Sequence, residues 1–294
     1  MKREIVFDQA FLESLRRIQL LARESSGGRL EGARVSRSPG SGVEPADWRP
    51  YLPGDSPRDV DWRAFARLGR MFVRLRAREE SSNVYLLVDS SASMRIGRPT
   101  KFTFARRVTG ALAAAALSGL DAVSMGLLRG GECDTSERLT GADRLPEIIT
   151  TLETARAEGE TDVARGLTSF LDGSPERGVI VVLSDFLCEG DVAPALAAAA
   201  ELGFEGSLVQ VLDPSEVEPD NTGRERLVDS ESEAELEMRF SPRVREAYIE
   251  ERERHFEELS SAATRAGFHA ATLRTNAKLE DAVLVDLRRA GVVG

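Results

Sequence analysis

The sequence is poor in cysteine, histidine and lysine. Its 294 residues include two cysteines, two histidines and, among 39 basic residues, only three lysines. Cys133 and Cys188 are far apart and match no metal-type spacing, so we expect reduced thiols, as in an intracellular protein, rather than disulfides. The lysines lie outside any Ser-x-x-Lys frame, which argues against one class of serine hydrolase. They are Lys2, Lys101 and Lys278.

The sequence also lacks a long apolar run and an excess of basic charge. No stretch approaches the roughly 18 apolar residues of a membrane-spanning helix. The segment after Met1 is amphipathic, so we expect neither a membrane span nor a secretory signal. A net charge of −10 and a pI near 5.0 argue against nucleic acid and anionic lipid as partners. We therefore expect a cytoplasmic globular protein.

The most informative segment is an apolar stretch that runs directly into an acid and several hydroxyls. Val84–Val88 shows no polar alternation, which predicts a strand covered on both faces, as in a parallel sheet between helices. In such sheets, ligands bind beyond the carboxyl ends of the strands. Asp89, Ser91 and Ser93 would lie there. Carboxylate and hydroxyl oxygens suit magnesium, manganese or calcium better than zinc.

Two further segments add oxygen atoms to this predicted site. A second apolar strand, Val179–Leu183, is followed by Asp185, and Thr161 lies in a glycine-containing loop before a helix. In a doubly wound sheet these loops can meet at one edge. Alone, a strand-terminal aspartate more commonly caps a turn or helix, and Thr161-Asp162 is itself a good N-cap pair. The combination of five positions in this order favours a metal site.

Strands and helices alternate from residue 83 onward, which predicts an α/β fold with a doubly wound, mostly parallel sheet. We expect residues 1–80 to form an N-terminal helix and an arginine-rich β subdomain. Residues 81–294 should form the α/β domain, with an acidic insertion near 214–240 that contains a hairpin. The predicted helices are 7–22, 101–120, 143–157, 163–171, 192–202, 243–265 and 279–290, and the further strands are 72–78, 121–128, 132–139, 207–212 and 268–273.

The segment from Arg49 to Arg78 holds eight arginines in an otherwise acidic protein. One interpretation is structural, with local ion pairs; the other is a docking patch for an acidic partner. Trp62 is expected to anchor the segment by burying its aromatic surface. The ion pairs expected are those of Arg49, Arg58 and Arg67 with Glu44, Asp55 and Asp61.

Upstream motifs connect the predicted site to one family. These are Glu44, Arg49-Pro50-Tyr51, Pro53-Gly54-Asp55, Arg58, Asp61-Trp62-Arg63 and Ala66-Arg67. They resemble the signature of the bacterial family known as domain of unknown function 58, and the resemblance covers roughly residues 10 to 290. Residues 83–212 resemble a von Willebrand factor type A domain, and the five site positions resemble its metal-ion-dependent adhesion site.

The resemblance implies roles for the five residues and a partner for the protein. Ser91, Ser93 and Thr161 would ligate a magnesium, manganese or calcium ion through their hydroxyls. Asp89 and Asp185 would hold it directly or through water. A hydroxyl-rich shell leaves the ion under-neutralised, so an Asp or Glu of a partner protein can complete it. The resemblance also implies a non-enzymatic module that works with a MoxR-type AAA+ ATPase.

Two alternatives remain open. The first is a metal-dependent phosphohydrolase, because strand-terminal aspartates also hold magnesium for phosphoryl transfer. Against it, Ser91 occupies the position of the second acid in an Asp-x-Asp motif, and no Gly-x-x-x-x-Gly-Lys or Gly-x-Ser-x-Gly motif is present. His255 and His269 occur late in the chain, where we expect structural roles. The second alternative is a scaffold with a vestigial metal site.

Overall fold

A computed structural model describes residues 6–9, 11–15, 17, 48–52, 60–74, 82–188, 190–219, 223–228, 230 and 234–290. The chain divides into two compact units, of which the larger combines residues 1–33 with 82–294 and the smaller is residues 34–81. The N-terminal segment, which is predicted to form one domain with residues 34–80, instead belongs to the larger unit. Its Phe7 and Phe11 lie in the hydrophobic core of that unit, and Arg107 donates a 2.7 Å hydrogen bond to the carbonyl of Val6.

The smaller unit contains a two-stranded antiparallel sheet and one short helix. Strands β1 (Trp48–Pro50) and β2 (Phe72–Arg74) pair, and helix α1 (Trp62–Leu68) lies between them in sequence. Asp61 caps α1 by accepting hydrogen bonds of 3.0 and 2.9 Å from the next turn. The side chain of Trp62 is 58% exposed, so the expectation that it anchors this segment by burial is wrong.

Some of the expected arginine ion pairs involve residues that the structure does not describe. Those of Arg49 and Arg58 with Glu44 and Asp55 lie outside the described residues. The rest of the predicted strand 72–78, beyond Arg74, also lies outside them.

The larger unit is built around a seven-stranded sheet. Its strands are β3 (Asn83–Asp89), β4 (Ala122–Arg129), β5 (Glu132–Thr135), β6 (Leu139–Thr140), β7 (Val179–Ser184), β8 (Glu205–Leu212) and, after a separate hairpin, β11 (His269–Arg274). The strand order is β11-β8-β7-β3-β4-β5, and β6 also pairs with β4. Only β5 and β6, at one edge, run antiparallel to their neighbour. The predicted α/β fold with a mostly parallel sheet is confirmed.

Helices cover both faces of this sheet. They are α2 (Lys101–Ser118), α3 (Leu145–Thr154), α4 (Val163–Asp172), α5 (Ala193–Glu201), α6 (Pro214–Val217), α7 (Pro242–Arg265), α8 (Leu279–Asp281) and α9 (Leu287–Arg289). Helices α2 and α3 pack in one core with Leu86 and Val88, whereas α4, α5 and α7 pack in a second core with Leu87. This two-sided burial is why β3 shows no polar alternation.

Two predicted elements differ in detail from the structure, and the predicted hairpin is confirmed. The edge segment 132–139 forms β5 and β6, because Ser136 breaks the ladder by accepting the backbone N–H of Met125 through its Oγ. The closing segment is interrupted by a π-helical turn, Ala282–Asp286, which places Ala282 and Leu287 in the same core. The predicted hairpin is present as β9 (Gly223–Val228) and β10 (Glu235–Phe240). Within the described ranges, no helix is both long and apolar enough to cross a membrane.

Candidate metal centre

The candidate site lies where the order of the parallel strands reverses. Strands β3 and β7 are neighbours, and the chain runs from β3 to β4 on one side before it returns to β7 on the other. Such a reversal opens a crevice at the carboxyl ends of the strands. Asp89 is the last residue of β3, Asp185 directly follows β7, and Thr161 lies two residues before α4.

The loop after β3 presents two hydroxyls toward each other. The backbone N–H of Ser91 donates to Asp89 Oδ1 at 2.9 Å, and the Oγ atoms of Ser91 and Ser93 are 2.9 Å apart. Ser90 has a different role, since its Oγ donates to the carbonyl of Leu128 on β4 at 2.9 Å. Ser91 is fully buried and Ser93 is partly exposed. The loop is therefore anchored through Ser90 while Ser91 and Ser93 are left to face the site.

The loop that carries Thr161 is hydrogen-bonded to this serine loop. Ala92 N donates to the carbonyl of Gly159, and Glu158 N donates to that of Ser90, each at 2.8 Å. Thr161 Oγ1 is buried and has no hydrogen-bond partner among the residues that the structure describes. Such a hydroxyl costs roughly 1–3 kcal/mol unless a ligand satisfies it.

The hydroxyl of Thr161 is not needed to cap the following helix. Asp162 caps α4 instead, because its carboxylate accepts a 3.0 Å hydrogen bond from the backbone of Arg165. The expected Thr161-Asp162 cap therefore uses only its second member, and Thr161 is left available for a ligand.

The two aspartates interact electrostatically. Burial and, to a lesser degree, the nearby charge of Asp185 raise the pKa of Asp89 to about 7, although hydrogen bonds from Ser184 and Ser91 partly offset both effects. The Ser184 hydroxyl donates to Asp89 Oδ2 at 2.6 Å. A cation between two such carboxylates would favour their charged forms.

Sequence reasoning missed Lys101, which the structure places at the site. Its Nζ lies 2.8 Å from Asp185 Oδ2 and 2.5 Å from Glu216 Oε1. Burial alone would lower the pKa of Lys101, but the two carboxylates outweigh this and raise it. Burial raises the pKa of Glu216, an effect that the ammonium only partly offsets. One signal was available: a lysine at the first position of a helix opposes the helix dipole.

The side chains of all five candidate residues offer oxygen atoms as metal ligands, and none of them offers nitrogen or sulfur. In the part of the chain that the structure describes, no group of three or more His, Cys, Asp or Glu side chains could hold a metal. The site instead combines two carboxylates with three hydroxyls, a set that fits a hard divalent cation. Of the two histidines, His255 has its Nε2 2.6 Å from the carbonyl of Phe186, and His269 is exposed.

Several known proteins are similar to this chain in structure or in sequence. Two solved structures are similar to the chain: the conserved hypothetical protein BatB from Bacteroides thetaiotaomicron (TM-score 0.45, 16% identity, 71% of this chain and 98% of that one) and a von Willebrand factor type A protein from Catenulispora acidiphila (TM-score 0.41, 13% identity, 72% and 42%). The family described as "Protein of unknown function DUF58" matches residues 47–258, and the chain belongs to this family. The uncharacterized protein Rv1480 of Mycobacterium tuberculosis is 29% identical over 285 residues, which are 94% of this chain and 88% of that protein.

Proposed function

We propose that this protein is a non-enzymatic interaction module that binds a carboxylate of a partner protein through a divalent cation. The cation is magnesium, or manganese or calcium in its place. The residues that would hold it are Asp89, Ser91, Ser93, Thr161 and Asp185. The observation that carries the proposal is the buried hydroxyl of Thr161, which lacks a partner among the described residues in a loop that is bonded to the serine loop.

The surrounding residues position this donor set. Asp89 orients the serine loop by accepting the N–H of Ser91, and Ser184 fixes the other carboxylate oxygen of Asp89. When bound, the cation supplies positive charge that three neutral hydroxyls do not neutralise, so an external Asp or Glu can complete its shell. The partial exposure of Ser93 leaves that side of the site accessible.

We further propose that the partner is a MoxR-type AAA+ ATPase, and that the pair acts in the assembly or remodelling of protein complexes. The resemblance to the family supports this partner, because the proteins of that family are often encoded with such ATPases. An ATPase needs ATP, so this proposal places the protein in the cytoplasm.

The test is a binding measurement between the full chain and a MoxR-type ATPase from the same genome, with magnesium and with chelator. We expect affinity to fall by at least about tenfold with chelator, and equally in the double variant Asp89→Ala, Ser91→Ala, because both remove the charge that recruits a carboxylate. Asp134→Ala, which removes an exposed aspartate on the edge strand β5, should bind as the wild type does.

Two results would replace the proposal. Equal affinity in all conditions and variants would leave a scaffold with a vestigial site. Hydrolysis of p-nitrophenyl phosphate that depends on magnesium and disappears in Asp89→Ala would favour the phosphohydrolase.

A further inference from the structure

A buried lysine occupies one side of the candidate metal centre. Lys101 is the first residue of α2, and its side chain is 0% exposed. A buried ammonium is tolerated only when it is paired and hydrogen-bonded. The carboxylates of Asp185 and Glu216 supply this pairing, at 2.8 and 2.5 Å from Nζ.

The second of these carboxylates is itself fixed in place. Glu216 Oε2 accepts a 2.8 Å hydrogen bond from Asp213 N, which completes the capping box of α6. Arg252 of α7 donates to the carbonyls of Glu216 and Val217 at 3.2 and 2.6 Å, which holds the same turn. Lys101 is therefore held between one immobile carboxylate and one carboxylate of the candidate metal site.

This arrangement engages both side-chain oxygens of Asp185. Oδ2 accepts from Lys101, and Oδ1 accepts a 3.1 Å hydrogen bond from Leu187 N. A divalent ion that approaches Asp185 must either displace the ammonium or remain near it, and like charges in a buried site repel more strongly than in water. The ammonium also neutralises part of the negative charge that would otherwise attract the ion.

We infer that Lys101 is a built-in cation that competes with the divalent metal for Asp185 and thereby keeps the metal affinity of the site low. The inference rests on the metal site of the proposed function and adds its regulation. A weakly held, under-neutralised ion gains most from an external carboxylate, so Lys101 makes metal retention depend on the partner. Glu216 moderates this competition, because it shares the ammonium with Asp185.

The experiment measures Mn²⁺ affinity of the full chain by isothermal titration calorimetry and by electron paramagnetic resonance of free Mn²⁺. Lys101→Met keeps the length of the side chain and removes its charge, so we expect binding at least about tenfold tighter than in the wild type. Lys278→Met is the matched control: it removes the same charge from an exposed lysine and should change affinity less than about twofold.

A second pair of variants should move affinity in the opposite direction. In Glu216→Gln the ammonium pairs with Asp185 alone, so we expect Mn²⁺ binding several-fold weaker. Glu218→Gln, at an exposed position two residues away, removes an equal charge and should leave affinity unchanged. If Lys101→Met does not fold, an unchanged or tighter Glu216→Gln overturns the inference.

The outcomes separate this inference from the proposed function. If the wild type binds Mn²⁺ and Lys101→Met binds it no more tightly, Lys101 does not compete with the metal, and the proposed metal site is still supported. If only Lys101→Met binds Mn²⁺ in the absence of a partner, the competition is supported. The metal-dependent function is then decided by the partner-binding measurement, and affinity that does not change with chelator would show it to be wrong. If neither binds, both are wrong.

Discussion

At the scale of single residues, the candidate site is defined by what each oxygen already bonds. The carboxylate oxygens of Asp89 have partners within the chain, and so do those of Asp185. The hydroxyls of Ser91 and Ser93 contact each other. Thr161 Oγ1 differs from all of these, because it is buried without a partner among the described residues. A metal ion that contacts Thr161 Oγ1 is therefore expected to stabilise the protein most, because no hydrogen bond within the described residues compensates for removing this hydroxyl from water.

Thr161→Val tests this directly, since valine has the same shape and lacks the hydroxyl. Without metal we expect the free energy of unfolding to be unchanged or higher by about 1 kcal/mol, because no intramolecular hydrogen bond is lost. The increase in Tm that magnesium gives the wild type should disappear. Thermal unfolding with magnesium and with chelator measures both effects.

The control is another buried threonine whose hydroxyl is satisfied. Thr109 Oγ1 donates to the carbonyl of Ala105 at 2.8 Å within α2, so Thr109→Val should keep the magnesium response. A full magnesium response in Thr161→Val would rule the hydroxyl out as a ligand.

At the scale of elements, the position of Thr161 depends on the start of α4. Asp162 caps this helix through Arg165 N, and a Cβ added at Gly190 would lie only 2.7 Å from Asp162 Oδ1. The loop after β7 and the start of α4 are therefore closely packed.

Asp162→Ala should lower the free energy of unfolding by about 1 kcal/mol, the usual cost of a lost N-cap. Asp162→Asn keeps a cap acceptor of the same size, so most of that stability should return. Urea unfolding followed by far-UV circular dichroism measures the difference. Equal stability of the alanine variant and the wild type would show that another group caps α4.

Strands and helices could be predicted from the sequence where the hydrophobic pattern lies within one short segment. The apolar run of β3 indicated cover on both faces, and Leu86 and Leu87 do lie in opposite cores. Contacts between distant residues had no sequence pattern. Lys101 meets Asp185 and Glu216 across 84 and 115 residues, and no spacing rule connects them.

Burial within a short segment was equally hard to predict. The size of Trp62 suggested an anchor, but the first turn of α1 leaves it exposed, and Ala64 is buried instead. The size of an aromatic side chain indicates how much its burial would stabilise the protein, but it does not indicate whether the backbone directs that side chain into the core.

At the scale of the whole molecule, one sheet carries two hydrophobic cores. Successive residues of a strand point to opposite faces, so Val181 belongs to one core and Val182 to the other, and both are fully buried. Because the same backbone ladder supports both cores and ends at the candidate metal centre, we expect the two cores to unfold as one cooperative unit.

Val181→Ala and Val182→Ala test this cooperativity. Each substitution leaves a cavity beside β7, on opposite faces of the sheet, so each should lower the free energy of unfolding by about 2 kcal/mol. We expect the sheet to unfold in one transition in both variants, with an unchanged denaturant dependence of the free energy. The measurement is urea unfolding followed by far-UV circular dichroism, because both tryptophans, Trp48 and Trp62, lie in the smaller unit and do not report on this sheet. Val285→Ala, at a position 44% exposed, should cost far less. A loss of stability in only one of the two variants would mean that the faces of the sheet unfold separately.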